Sequence, residues 1–185
     1  MSAAPIWLAR HGETDANAEH RVQGSIDPPL NDRGREQARA LAEQVRPLGI
    51  RALYTSQLQR ARETAEIVAA EVGLEQPRVD ERFAESRRGE WEGRLIADIK
   101  REHPDLWAAS LAVENTFRFP GGESLEEHAE RVEAALEDVR DGPLPALVVC
   151  HGGTIRRVLA KRRPHELAKG HTFPNGTLIP VDDGD

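Results

Sequence analysis

Five consecutive apolar residues, Ala146-Leu147-Val148-Val149-Cys150, stand between Pro145 and His151. A strand with one face in water alternates apolar and polar residues. This one does not, so both of its faces must be covered. Covering both faces takes a layer of helices on each side of a sheet, the arrangement of parallel α/β folds. Pro5–Ala9 (PIWLA) is a second apolar run of this kind, Arg51–Thr55 (RALYT) a third, and Thr177–Val181 a candidate last strand.

Helical patterns fill the intervals. Asn31 or Asp32 caps a helix to about Arg46, with Ala38, Leu41, Ala42 and Val45 on one face and Pro47 and Gly49 ending it. Leu58 to about Val72 is helical and closed by Gly73; Leu95–Glu102 and Asp105–Ala112 are short helices separated at Pro104. Ser124 with Glu127 forms a capping box for a helix to about Arg140, and another helix runs from about Gly153 to Lys161. Strands alternating with helices predict an α/β fold, three-layer α/β/α, with a mostly parallel central sheet. The 185 residues suit one domain, 1–185, with a helical and loop cap around 83–123.

In such sheets ligands bind beyond the carboxyl ends of the strands. Two strand ends carry the same chemistry. Pro5–Ala9 runs into Arg10-His11-Gly12-Glu13, and Ala146–Cys150 into His151-Gly152-Gly153-Thr154. Glycine lets a ligand approach the backbone closely, and the N-terminus of the helix after His151 favours an anion. Arg10 stands beside His11, and Arg60, early in the helix after Arg51–Thr55, adds a second guanidinium at the same edge. Arginine suits phosphate because its planar fork donates parallel hydrogen bonds.

The stretch Leu8-Ala9-Arg10-His11-Gly12-Glu13-Thr14 resembles the signature of the histidine phosphatase superfamily, the phosphoglycerate mutase-like family. Five further stretches match it in order: Arg21-Val22-Gln23-Gly24 through Gln37-Ala38, Tyr54-Thr55-Ser56 through Thr64-Ala65, Phe83-Ala84-Glu85 through Gly93, Phe119-Pro120-Gly121-Gly122-Glu123-Ser124, and Val149-Cys150-His151-Gly152-Gly153. The resemblance implies a phosphoglycerate mutase-like fold and a phosphohistidine nucleophile at His11. It further implies a phosphoryl clamp of Arg10, Arg60 and His151, and Glu85 as proton donor. Asn17 and Gly152 would add phosphate contacts, and Thr14, Gln23, Gly24, Ser56 and Glu123 would line the pocket. Phosphate charge would raise the Glu85 pKa so that it holds its proton. No metal and no cofactor are called for, because cationic side chains do that work.

Among family activities, hydrolysis of a phosphomonoester fits best. The run Glu85-Ser86-Arg87-Arg88-Gly89 lacks the long insertion that mutases carry after the acid, and Arg88 stands where they have tyrosine. Arg87 and Arg88 are either contacts for a second anionic group or a solvated pair. Gln57 replaces a common proline. The alternatives are a mutase-type phosphotransferase and a non-catalytic phosphoryl-binding protein. Cys150 and Arg156 also fit the C-x5-R spacing of cysteine phosphatases, although Val149 replaces the histidine of that class.

The expected partner is a small phosphorylated substrate, with a homodimer admitted. The net charge of −7 speaks against a non-specific grip on nucleic acid or an anionic membrane. One cysteine permits no internal disulfide, and with no apolar run near the roughly 20 residues of a span and no basic leader, the expected compartment is the cytoplasm. His20, His103, His128, His165 and His171 show no metal-ligand spacing, Asn175 reads as a turn residue, and Asp182-Asp183-Gly184-Asp185 as a frayed acidic end. Cys150→Ser is expected to leave turnover within a few-fold of wild type while His11→Ala abolishes it; the reverse pattern in a phosphate-release assay identifies a cysteine nucleophile.

Overall fold

The computed structural model describes residues 5–168 and 173–182. Met1–Ala4, His171 and the acidic residues 183–185 lie outside the described residues.

The elements in chain order are β1 (Ile6–Arg10), α1 (Asp15–Ala18), α2 (Asp32–Val45), β2 (Ala52–Thr55), α3 (Gln59–Val72), β3 (Arg78–Val79), α4 (Ile96–Glu102), α5 (Pro104–Ser110), α6 (Leu125–Arg140), β4 (Ala146–Cys150), α7 (Gly152–Arg162), α8 (Pro164–Ala168) and β5 (Leu178–Pro180). The sheet order is β3-β2-β4-β1-β5. β4, the continuous apolar run, lies at the centre, parallel to β1 and to β2; β3 is parallel to β2, and β5 is antiparallel to β1.

Strand periodicity assigns the two faces. Ile6, Leu8, Ala52, Ala146, Val148 and Cys150 point to one side, where Val132, Ala135, Leu136 and Val139 of α6 and Ile155, Val158 and Leu159 of α7 cover them. Ala9, Leu53, Leu147 and Val149 point to the other, under Leu41, Ala42 and Val45 of α2 and Ala61, Ala65 and Val68 of α3. The expected three layers are therefore present. A third cluster of Val22, Trp91, Ile99, Phe117, Phe119 and Leu125 gathers the segment between β3 and α6, with Trp107 packed against it. Trp91 is its hub, with Phe119 edge-on at 5.5 Å and Trp107 stacked at 6.0 Å between ring centroids. Among the described residues no helix is long and apolar enough to cross a membrane.

The caps read from sequence are formed. Asn31 accepts from the Gly34 N–H, Ser124 and Glu127 bond reciprocally, and Gly73 closes α3 with φ 77°. Three elements were not expected. α1 and α8 are single turns, and β3 is a two-residue edge strand. The last strand is shorter than Thr177–Val181, and α5 begins at Pro104, whose fixed φ suits a first helical position.

The loop after β1 lies on the start of α2 at a distance only glycine allows. A Cβ on Gly12 would stand 2.3 Å from the Gly34 carbonyl oxygen, and one on Gly34 would stand 2.1 Å from the Glu13 carbonyl oxygen. Both neighbours are backbone, so neither yields without moving the signature loop. Gly34→Ala is expected to lower Tm by about 5 °C, although helix propensity alone would raise it by about 1 kcal/mol of stability. Thermal unfolding by circular dichroism decides between the two signs.

Candidate active site

Parallel pairing puts Arg10 opposite Cys150 at the ends of β1 and β4. The next residue of each strand is the histidine, so the His11 and His151 rings emerge side by side, with centroids 5.1 Å apart. The His11 N–H extends the ladder to the Cys150 carbonyl at 3.0 Å, and Asn175 Nδ2 donates to the His11 carbonyl at 3.0 Å. Asn175 is thus a part of the site and not only a turn residue. Gly12 N–H donates to Thr64 Oγ1, which donates in turn to the Arg60 carbonyl, tying the signature loop to α3.

The His11 tautomer follows from its one ring hydrogen bond. Nδ1 lies 2.7 Å from the Gly12 carbonyl oxygen, which only accepts, so Nδ1 carries the proton and Nε2 keeps its lone pair. Burial, with His151, Arg60 and Arg10 adding positive potential, holds His11 well below the usual histidine range. His151 is held low by burial and by Arg60. Both imidazoles are neutral at pH 7.

Arg60 is wholly buried and still cationic, lowered to about 10 by burial. Its Nη atoms donate to the Ile26 and Gly24 carbonyls at 2.7 and 2.9 Å. Arg10 donates to the Phe173 carbonyl. Arg10 Nε, Arg60 Nε and both ring nitrogens of His151 are buried with no hydrogen-bond partner among the described residues. Four unmatched polar atoms at one strand edge form a site for an anion.

Glu85 faces this group. Its Oε1 accepts from Ser86 N–H at 2.9 Å and its Oε2 from Gly153 N–H at 3.0 Å, with Arg88 Nη2 3.7 Å from Oε1. Burial raises its pKa, but Arg88, His128 and the two N–H donors outweigh that and hold it far below the usual carboxylate range. In the ligand-free protein Glu85 is therefore a carboxylate. The expected rise in pKa is tied to phosphate charge; without that charge the donors that orient the group also stabilise it as the anion.

Two cavities adjoin Glu85. The smaller, about 130 Å³, is lined by Arg10, Asn17, Gln23, Gly24, Arg60 and Glu85, with Arg21, Arg88 and Trp107 on its cap side. The larger, about 420 Å³, is lined by Gln57, Glu81, Arg82, Glu85, Arg87 and Glu123 among others. Arg87 and Arg88, indistinguishable in sequence, thus face different cavities. His11 and His151 are buried, at most 3% exposed, and both feel the charge of Arg10 and Arg60, which line the smaller cavity.

Three expected pocket residues do other work. Thr14 is buried, caps α1 and donates to Gln23 Oε1 at 3.0 Å. Ser56 is buried and its hydroxyl accepts from Leu58 N–H, the turn a proline at position 57 would otherwise shape. Glu123 lines the larger cavity, but its carboxylate is engaged by Arg131. Gly152 begins α7 against Arg10, where a Cβ would stand 3.6 Å from Nε. Sequence reasoning missed Thr64, although it lies one helical turn after Arg60, and left His128 as surface or structural. His128 is buried, with Nε2 3.2 Å from Thr154 Oγ1. The rival nucleophile Cys150 is fully buried and its thiol is pushed far up by burial, so no thiolate forms there. Among the described residues no group of three or more His, Cys, Asp or Glu side chains is placed to hold a metal ion.

The family model described as histidine phosphatase superfamily, branch 1, matches residues 6–180. Phosphoglycerate mutase-like protein 4 of Arabidopsis thaliana is 36% identical over 165 residues, covering 87% of this chain and 72% of its own. The Escherichia coli protein named "Probable phosphoglycerate mutase GpmB" is 42% identical over 151 residues, covering 80% and 69%. A solved mycobacterial glucosyl-3-phosphoglycerate phosphatase, in complex with VO3, is 30% identical with a TM-score of 0.84, covering 96% of this chain and 90% of that one.

The buried histidines give the fold a pH dependence of definite sign. His11, His128 and His151 all sit below the ordinary value of 6.5, His128 at about 4. Unfolding restores their ordinary affinity, so below 6.5 the unfolded chain binds more protons. Stability is then full above pH 6.5 and falls between 6.5 and about 4, by about 1.4 kcal/mol per pH unit for each proton taken up. Depressed Glu85 acts in the same direction at lower pH. Urea unfolding across this range is expected to show the decline; a flat profile shows that the histidines are not buried neutral.

Proposed function

The chain belongs to the histidine phosphatase superfamily, and on that premise we propose that it is a phosphomonoester phosphatase working through phosphohistidine on His11. The observation that carries this reading is the convergence of the unpartnered Arg10, Arg60 and His151 atoms around a neutral His11 whose Nε2 lone pair is free to attack. The smaller cavity beside them has room for a phosphoryl group.

In this reading His11 Nε2 attacks phosphorus and the ester P–O bond breaks. Arg10, Arg60 and the His151 N–H hold the non-bridging oxygens, whose charge they meet in a site already organised for it. The leaving oxygen takes a proton from Glu85. Glu85 acquires that proton as phosphate arrives, because dianion charge beside it reverses the preference for the carboxylate. Once the alcohol has left, the Glu85 carboxylate accepts a proton from water as the water attacks phosphohistidine. Phosphate departs and His11 is neutral again.

Arg21 and Arg88 line the same cavity in addition to Arg10 and Arg60, which favours a small metabolite bearing a second anionic group. A cytoplasmic setting belongs to this reading, in keeping with a single buried cysteine. The names of the curated relatives favour a second reading, transfer between positions of a phosphoglycerate. Hydrolysis is preferred because the segment between Glu85 and α6 contains only two short α-helices and one 3-10 turn, Gly89–Trp91, to enclose the intermediate against water.

The test is phosphate release from p-nitrophenyl phosphate with EDTA present, followed by denaturing quench. Expected are metal-independent turnover, an acid-labile phosphoryl enzyme, and a loss of about 1,000-fold or more in His11→Ala. Isomerisation of a phosphoglycerate without phosphate release establishes the transferase instead, and no turnover on any phosphomonoester establishes a binding protein.

A further inference from the structure

The acid Glu85 sits in a stretch, residues 84–88, with no helix or strand of its own. Its backbone carbonyls therefore need partners from elsewhere. Arg131, from the second turn of α6, supplies them. Nη1 donates to the Arg82 and Ala84 carbonyls at 2.7 and 2.9 Å, and Nη2 to the Glu85 carbonyl at 3.3 Å. Its Nε and the second Nη2 proton go to the two oxygens of Glu123, at 2.7 and 2.9 Å. A guanidinium has five N–H donors, and all five are engaged.

Glu123 carries the grip further along the same stretch. Its Oε2 accepts from the Arg87 N–H at 3.3 Å, and its own N–H donates to the Arg87 carbonyl at 2.8 Å. The backbone on both sides of Glu85 is thus held by one ion pair, while its carboxylate is held from the opposite side by the Gly153 N–H. Thr154, the next residue, donates to the Ala84 carbonyl. Glu85 is suspended between α6 and the start of α7.

We propose that Arg131, fixed by Glu123, is the positioning residue for the acid, its five-donor fork setting where the Glu85 carboxyl meets the leaving oxygen. The inference rests on Glu85 acting as proton donor in the reading above. Lysine cannot replace this group: it carries the charge but has three donors on one atom and no planar fork. Arg131 also lines the larger cavity, but its five donors are all taken by the protein, so its effect passes through the main chain of 82–87.

A merely structural role and a positioning role separate by leaving group. p-Nitrophenolate leaves as a stable anion and needs no proton, whereas the alkoxide of glycerol 2-phosphate does. In kcat/KM, which reports the steps up to departure of the alcohol, Arg131→Lys and Arg131→Gln are expected to lose about 100-fold on glycerol 2-phosphate and only a few-fold on p-nitrophenyl phosphate. Should neither variant fold, Glu123→Gln, which weakens the ion pair and keeps Arg131, is expected to show the same selective loss in smaller measure. Equal losses on both esters, or no loss on either, overturn the inference while leaving the phosphatase intact. Wild-type protein inactive on both esters overturns the phosphatase reading, and the inference with it.

Discussion

The in-register parallel pairing of β1 with β4 is the constraint on which the rest of the structure depends. Ile6 lies opposite Ala146 and Arg10 opposite Cys150. Because the two strands run the same way and stop at the same level, the residue after each must emerge at the same edge. That residue is histidine in both. A slip of one residue would turn the side chains of one strand to its other face and separate the rings. The slip is opposed by every buried side chain of β4, which has helices to satisfy on both faces.

Burial then sets the electrostatics. Arg60 sits under the site without solvent and keeps its charge at neutral pH, because the Gly24 and Ile26 carbonyls accept from its ends and Asp27 lies 3.7 Å away. The same cations hold both histidines neutral. One arrangement therefore serves two needs. It attracts an anion, and it leaves the nucleophilic nitrogen unprotonated where a more exposed histidine would be partly blocked by its own proton.

Much of this was legible in the sequence, and the reason differs from part to part. The sheet and its helices were legible because β4 has no polar residue and α2 and α3 keep their apolar stripes. The candidate site at the strand ends was legible because fold physics places ligands there and the residues suit phosphate chemistry. What escaped was long-range. Thr64 as the anchor of the signature loop and Arg131 behind Glu85 act between segments far apart in the chain, through hydrogen bonds that leave no periodic trace. Thr14 and Ser56 were placed at the pocket by the family resemblance; in the ligand-free protein their hydroxyls accept from nearby N–H groups.

Glu85 shows why the protonation state was the hardest part to read. A carboxyl buried in an apolar wall would rise and hold its proton without help, whereas the sequence reading ties the raised pKa to phosphate charge beside it. Here the wall is polar. The Ser86 and Gly153 N–H groups donate to the two Glu85 oxygens and favour the anion, and Gly153 is pressed so close that a Cβ there would stand 2.1 Å from Oε1. Position and charge are thus fixed by the same contacts, and neither can be adjusted without the other. A group so held is a carboxylate in the ligand-free protein, and in the reaction proposed above it takes up a proton only when phosphoryl charge arrives beside it. That coupling suits hydrolysis, in which the same carboxyl must give up a proton in one half-reaction and accept one in the next. Arg88 shares the hold on Glu85 with the backbone donor at the start of α7, but through a contact longer than a hydrogen-bonded salt bridge. A close arginine would bind the anion too firmly for the phosphoryl charge to reverse it, and the nearest guanidinium, Arg88, stands off at 3.7 Å.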